Sequence, residues 1–234
     1  MRAMILAAGR GERMRPLTDT QPKPLLKVGG KSLIEWHVHR LAKAGITHLV
    51  INHAWLGDQI EATLGDGRRY GVHIAYSPEP QPLETAGGIA KALPLLGDEP
   101  FLVMNGDIWC DWNPAAAFDA AREAEATGSQ AWLLLADNPV HHPDGDFSLG
   151  LDGHVLDAEP GNALTFTGVG VYQPEFFRSL DPGQPAPLAP LLYQAIDQKL
   201  MIGEHYDGTW IDVGTPQRLM QLNAMLAAAP STPV

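Results

Sequence analysis

Cysteine is nearly missing from this chain of 234 residues, and the single Cys110 rules out an intramolecular disulfide and any cysteine-based zinc framework. Long apolar runs are missing too. None approaches the roughly 20 residues that a bilayer span needs, and no signal peptide fits a start whose strand-like residues run straight into a polar loop. The expected setting is the cytoplasm, with no membrane partner. Positive charge is scarce: 16 Lys and Arg stand against 27 Asp and Glu, a formal net charge of −11. That balance argues against a general nucleic-acid binder. A hydrophobic content of 45% excludes disorder as the main state, and the length suits one α/β domain with a continuous core.

The positive charge that is present is concentrated. Seven of the sixteen cations, Arg2, Arg10, Arg13, Arg15, Lys23, Lys27 and Lys31, fall within the first thirty-one residues. There an apolar run breaks into LAAGRGERMRPLTDTQPKPL. Met4, Ile5 and Leu6 read as the end of a buried strand. Ala7, Ala8, Gly9 and Gly11 then remove side-chain bulk, so backbone N–H groups can approach a ligand. An ordinary solvated face does not interleave its charges with glycines and prolines in this way. A small-residue loop armed with fixed cations suits a small polyanion, first of all a nucleoside triphosphate.

Strand-like and helix-like stretches alternate after this loop. Residues 3–6, 49–51, 72–76, 101–104 and 132–135 read as strands. Ser32 opens a helix with Glu35 three residues on, a capping-box pattern, and Leu33, Ile34, Val38 and Leu41 give it an apolar face that ends by Gly45. Ile60 and Leu64 mark a short helix closed by Gly65. Thr85 is expected to cap a helix opened by Gly87 and Gly88 and ending before Pro94. Asp111 reads as leading into an alanine-rich helix over 115–126. The rhythm predicts a largely parallel sheet with helices on both faces, and ligands in such sheets sit at the carboxyl ends of the strands. The loop after Leu6 and the Asn105-Gly106-Asp107 turn both fall there. From about His141 the pattern shifts to short pieces around 147–151, 155–156 and 164–171, read as a substrate-facing insertion of antiparallel character. Residues 188–198 and Pro216–Ala228 read as helices.

The glycine loop is not a Walker A loop, because no Gly-Lys-Ser/Thr follows. It is a poor dinucleotide fingerprint, because Met14 holds the third glycine position and Pro16 interrupts any immediate helix. The full string is more specific. Gly9, Gly11, Arg13, Pro16, Thr18 and Pro22-Lys23-Pro24 resemble the nucleotide-binding signature of the sugar-1-phosphate nucleotidylyltransferases, the pyrophosphorylases that make nucleotide sugars. The resemblance implies a three-layer Rossmann-like nucleotide-diphospho-sugar transferase fold with a mixed, mostly parallel central sheet. It implies one domain over 1–228, with a nucleotide-binding part at about 1–136, a sugar-binding part at about 137–228 and a flexible tail at 229–234.

Site roles follow from the same resemblance. The loop, with Ala8, Gly9, Gly11 and Glu12, wraps the triphosphate; Arg13 binds the leaving β- and γ-phosphates and Lys23 reaches the α-phosphate. Bracketing prolines stiffen the backbone around Lys23 and lower the entropy lost in aiming it. Asn105-Gly106-Asp107 taken alone is good turn chemistry. The resemblance makes Asn105 a nucleotide contact and Asp107 a ligand for Mg²⁺, a hard ion suited to carboxylate oxygen, phosphate and water. The partner carboxylate is expected at Asp212 in Trp210-Ile211-Asp212-Val213-Gly214-Thr215. Many relatives have Leu-Gly-Thr facing the base and ribose where this chain has Leu83-Glu84-Thr85. Glu84 either accepts from a base imide N–H or sits outside the pocket, while Thr85 and Gly88 bring the helix start to the nucleotide.

Sugar contacts are expected from the second half: Asp146, Glu159, Thr167 and Gly168. Asp144-Gly145-Asp146 equally suits a loop turn, and the pair His141-His142 reads as loop histidines rather than metal ligands. Trp55, Trp109 and Trp210 read as packing residues. The implied partners are UTP and a sugar 1-phosphate. No Ser-His-Asp or Cys-His arrangement is needed, because a phosphate monoester with a second pKa of about 6 is already a nucleophile at neutral pH.

The resemblance extends over essentially the whole chain. It is closest to the branch that uridylylates N-acetylmuramate 1-phosphate in bacterial cell-wall recycling, on strings such as VINHAWLGDQIE, SPEPQPLETAGGI and DNPVHHPDGDF. The absence of a following hexapeptide-repeat tail argues against the bifunctional N-acetylglucosamine 1-phosphate branch. Mannose or glucose 1-phosphate with GTP, dTTP or UTP remains the alternative within the family, and a noncatalytic nucleotide sensor or an NAD-linked oxidoreductase the alternatives outside it. Joint retention of Arg13, Lys23, Asp107 and Asp212 favours the enzyme. No cation can be assigned from sequence to the lactyl carboxylate of a muramate, and oligomeric state stays open at this point.

Overall fold

The structure, a computed structural model, describes residues 1–228; the expected flexible tail at 229–234 lies outside the described residues. Seven strands form the central sheet: β1 (Ala3–Ala7), β2 (His48–His53), β3 (His73–Pro78), β4 (Phe101–Asn105), β5 (Ala131–Ala136), β6 (Thr165–Tyr172) and β7 (Met201–Tyr206). Their order is β7-β5-β6-β4-β1-β2-β3. Every neighbouring pair is parallel except the two that β6 makes, with β4 and with β5. The sheet is mixed and mostly parallel, as the sequence rhythm predicts.

Alternation along β1 shows why three layers result. Ala3, Ile5 and Ala7 face one core, which α1 (Leu33–Lys43) fills with Ile34, Val38 and Leu41 and α2 (Gly57–Leu64) with Ile60. Met4 faces the other, against Ala86, Ile89 and Ala90 of α3 (Glu84–Leu96). Downstream, α4 (Ala117–Thr127) joins the first face and α5 (Ala189–Asp197) the second. Each fully buried Ile or Leu contributes about 1.5–3 kcal/mol to holding these layers together. The start of α1 carries the expected capping box, with Ser32 accepting from the Glu35 N–H and Glu35 accepting from the Ser32 N–H at 3.0 Å.

Four local expectations are corrected. Thr85 does not cap α3: Leu83 stands at the N-cap without a side-chain cap, and its N–H donates to Glu79 Oε2 at 3.1 Å. That helix also runs through Pro94 to Leu96, because a missing N–H so near the C-terminus disturbs only the last turn. The stretch around 164–171 has the expected antiparallel character but is not an insertion: from Thr165 it is β6, buried along nearly its whole length between β4 and β5, while only the hairpin of Phe147–Leu149 with Val155–Asp157 lies outside the sheet. Asp111 does not open the next helix. Asn113 accepts from the Ala115 N–H at 3.1 Å, and Asp111 accepts from the Thr209 N–H at 2.8 Å and from the Tyr206 hydroxyl.

Beyond β4 the chain folds back in a short antiparallel ribbon of Ile108–Cys110 with Trp210–Asp212, which sets Asp212 opposite Ile108. The Val213 N–H donates to the Asp107 carbonyl at 3.0 Å. The final helix, α6 (Pro216–Ala228), buries Leu222 with Met14, Trp109 and Val213 beneath the glycine loop.

Candidate active site

The glycine loop leaves β1 at a fixed point. The Ala7 N–H donates to Asn52 Oδ1 at 2.9 Å, and the Gly106 N–H to the Leu6 carbonyl at 2.8 Å. Gly11 has φ +67°, and a Cβ there would lie 3.1 Å from Lys23 Cβ and from Thr18 Cγ2. Thr18 Oγ1 donates to the Gly11 carbonyl at 2.8 Å. Glycine at position 11 therefore lets the loop close down over the lysine stem. Buried Met14 pins the turn that follows.

Four cations of this segment are distinguished by their neighbours. Arg10 lies over the Trp55 ring at 3.9 Å and near Glu12, and Arg15 pairs with Asp19 at 3.2 Å. Arg13 has no carboxylate partner among the described residues and lines the cavity. Lys23 is only 6% exposed, and its Nζ sits 2.6 Å from Asp107 Oδ2.

The cavity over this loop measures about 490 Å³ and is lined by Ala8, Gly9, Gly11, Glu12, Arg13 and Lys23, faced by Glu84, Thr85, Asn105 and Asp107. A second cavity, of about 530 Å³, shares Glu84, Thr85 and Asn105 with the first and adds Asp146 and Gly168. A third, of about 270 Å³, shares Arg13, Asn105 and Asp107 and adds Thr167 and Asp212. One cleft at the carboxyl ends of β1 and β4 therefore collects residues far apart in sequence.

The two carboxylates expected to bind metal meet through the ribbon, and each holds a cation. Asp107 has Lys23; Asp212 Oδ2 has Arg218 Nη1 at 2.9 Å and His141 Nε2 at 3.5 Å. Among the described residues no three His, Cys, Asp or Glu side chains group as a metal site. Two carboxylates beside a cleft lined by Arg13 and Lys23 nevertheless suit Mg²⁺, which takes one or two carboxylates and completes its shell with phosphate and water.

Other expected site residues are placed less directly. Gly88 is not in the cavity lining: a Cβ there would lie 2.7 Å from Glu79 Oε1 and 2.9 Å from Asn52 Nδ2, so its bareness lets α3 pack on that buried pair. Glu84 has φ +56°, the left-handed conformation that a glycine adopts freely, so the chain keeps a glycine backbone there while carrying a carboxylate. Asp146 is committed locally, accepting from the Phe166 N–H at 2.8 Å and pairing with His142 at 3.0 Å. Thr167 is buried, and its hydroxyl donates to the Leu134 carbonyl at 2.8 Å within a bulge of β6. At Gly168, φ +80°, any Cβ would fall 2.3 Å from Asn105 Nδ2. Glu159 is exposed and lines none of these three cavities. The tryptophans pack: Trp55 Nε1 donates to the Thr18 carbonyl and Trp210 Nε1 to the Thr167 carbonyl, at 3.0 and 2.8 Å.

Sequence reasoning passed over Asn52 and Glu79, took His141 for a loop histidine and left Arg218 unplaced. Asn52 Nδ2 donates to Glu79 Oε1 at 2.7 Å, both line the first cavity, and together they tie the glycine loop to the start of α3. Both sit at carboxyl ends of strands, the position rule already applied to Leu6 and Asn105, so that rule extended to β2 and β3 would have found them. His141 and Arg218 gave no such signal, since only the fold brings them to Asp212. Beneath the ribbon, burial and the nearby Arg40 charge push the His37 imidazole down to about 4, so it is neutral where its Nε2 meets the Ile108 carbonyl at 3.0 Å.

A triphosphate-sized cleft with a glycine loop, two inward cations and two converging carboxylates is the architecture of a nucleotidyl-transferring enzyme. The chain belongs to the nucleotidyl transferase family, whose model matches residues 2–143. It is 57% identical to an N-acetylmuramate alpha-1-phosphate uridylyltransferase of Neisseria meningitidis serogroup B, over 97% of this chain and 99% of that protein. It is 37% identical to the enzyme of the same description from Caulobacter vibrioides, over 97% of each. Among solved structures, one from Bacillus anthracis superposes with a TM-score of 0.84 at 22% identity, covering 100% of this chain and 98% of that one, and shows the same fold.

Proposed function

We propose that this protein transfers a uridylyl group from UTP to N-acetylmuramate 1-phosphate, giving UDP-N-acetylmuramate and pyrophosphate. The observation that carries the sugar assignment is the 57% identity, over 97% of the chain, to a relative described by that activity. The chemistry rests on Arg13, Lys23, Asp107 and Asp212 bordering one cleft. In this reading residues 1–136 hold the nucleotide and 137–228 the sugar, and the setting is the cytoplasm, where UTP serves cell-wall recycling.

The sugar phosphate, largely dianionic at neutral pH, attacks the α-phosphorus, and pyrophosphate leaves in line. The difficulty is to bring two anions together and to stabilise charge on the leaving group. The bare loop backbone of Gly9 and Gly11 approaches the triphosphate. Arg13, without a carboxylate partner among the described residues, meets the β- and γ-phosphates. Lys23, held by its buried stem, turns its ammonium from Asp107 to the α-phosphate. Asp107 and Asp212 would hold Mg²⁺, which when bound neutralises phosphate charge. Glu84 and Thr85 border the base and ribose, and Asp146 and Gly168 border the sugar.

The test is a panel of sugar 1-phosphates and nucleoside triphosphates read by pyrophosphate release, with and without a chelator. Turnover is expected with N-acetylmuramate 1-phosphate and UTP, and its loss on chelation. No turnover of that pair, or turnover confined to mannose or glucose 1-phosphate, overturns the assignment.

A further inference from the structure

The second cavity has a feature that the reaction as derived does not use. Along one face of β6 the side chains at 168 and 170 are absent, and the cavity reaches down past both glycines to Tyr172. The Tyr172 ring is packed against Phe177 and Phe176, with centroids at 5.3 and 5.4 Å, and the residue is 1% exposed. Its hydroxyl is buried with no hydrogen-bond partner. It lies 2.9 Å from where a Cβ on Gly170 would sit, with ring atoms Cε2 and Cζ at 2.9 and 3.0 Å, so the missing side chain at 170 makes room for the phenol itself against the strand. Buried polar groups almost always have partners, and an orphan at the floor of a cavity points to something that enters the cavity.

The walls narrow the chemistry. Phe147, Phe166 and Leu192 are apolar, and burial raises the phenol's pKa well above its ordinary value, so it stays protonated and is a donor. One neutral donor among apolar side chains does not offset the desolvation of a charged carboxylate, whereas it matches a neutral carbonyl with a methyl beside it. The mouth of the cavity is formed by Glu84, Thr85 and Asn105, which it shares with the nucleotide cleft.

We infer that Tyr172 Oη is a specificity-determining donor, at the floor of a subsite lined by Gly168 and Gly170, that recognises the acetamido carbonyl of the sugar. This rests on the nucleotide-sugar reading above and adds to it the residue that selects an N-acetylated sugar over its hydroxyl counterpart. It also separates the acetamido group from the lactyl carboxylate, which must be met elsewhere.

Calorimetric titration tests it with UDP-N-acetylglucosamine and UDP-glucose, which differ in the acetamido group alone. The wild-type protein is expected to bind the first at least tenfold more tightly, and Tyr172→Phe to reduce that ratio by about tenfold, or about 1.4 kcal/mol. Tyr172→Phe keeps the ring and removes an unpaired hydroxyl, so its Tm should equal or exceed that of the wild type. Gly170→Ala, whose Cβ would displace the phenol from its place against residue 170, should reduce the ratio in the same way. Equal affinities in the wild type, or a ratio unchanged in both variants, overturn the inference. So does a loss in Tyr172→Phe specific to UDP-N-acetylmuramate, which would assign the donor to the lactyl group. Failure of the muramate reading alone is distinguishable: N-acetylmuramate 1-phosphate is then not turned over while the acetamido preference and its loss persist. Failure of both UDP-sugars to bind overturns both.

Discussion

Replacing Lys23 by Met removes one charge and keeps most of the stem that Gly11 closes over. In the folded protein Nζ lies 2.6 Å from Asp107 Oδ2, on a lysine side chain 7% exposed and a carboxylate 38% exposed. Removing one partner of a fully buried pair costs about 3–5 kcal/mol. Asp107 is open to water over more than a third of its side chain and rehydrates once the ammonium is gone, so a loss of about 1–2 kcal/mol is expected, within the stability of an ordinary domain. The effect on turnover should be larger. Losing one preorganised cation at a site of developing charge lowers kcat by about 10²–10³-fold, equivalent to about 2.7–4 kcal/mol. Urea unfolding measures the first quantity and continuous pyrophosphate release at saturating substrates the second. Lys23→Ala is the poorer probe, since it also empties the space under Gly11 and mixes packing with charge. A Lys23→Met enzyme with kcat within threefold of wild type would falsify the catalytic assignment.

Two further outcomes follow from strained or buried groups. Glu84→Gly releases a non-glycine residue held at φ +56°, and should stabilise the fold by about 0.5–1 kcal/mol, seen calorimetrically as a Tm higher by about 2 °C; a lower Tm would mean the Glu84 side chain holds the loop. His37, pushed down to about 4 mainly by burial, binds its proton less readily in the folded chain than in the unfolded one, whose imidazole titrates near 6.5. As pH falls through that window the unfolded chain takes up the proton first, so stability present above pH 6.5 is lost toward pH 4, by up to about 3 kcal/mol. Urea midpoints at pH 7, 5.5 and 4.5 should show a shallower decline in His37→Gln than in wild type, and parallel declines would remove the histidine as the cause.

What the sequence determined by itself is local or periodic. The strand over β1, the capping box of Ser32 and Glu35, and the bare loop with its cations were legible, because hydrophobic alternation, capping and glycine content act within a few residues. Alternating strands and helices also foretold a mostly parallel layered sheet. The tertiary structure decided the rest. Whether β6 lies beside the sheet or within it depends on which strands it pairs with, and nothing in TFTGVGVY states that. The meeting of Asp107 with Asp212 needed the ribbon between residues about a hundred positions apart. Thr167 borders the third cavity with its hydroxyl engaged by a neighbouring strand, and Gly88 yields space to the Asn52–Glu79 pair, neither of which the local sequence states. Long-range pairing, close approach and the partner of each polar group are set by three-dimensional packing. For that reason the residues proposed to hold the triphosphate could be read from one short string, while the cavity proposed for the sugar appeared only once the strands were assembled.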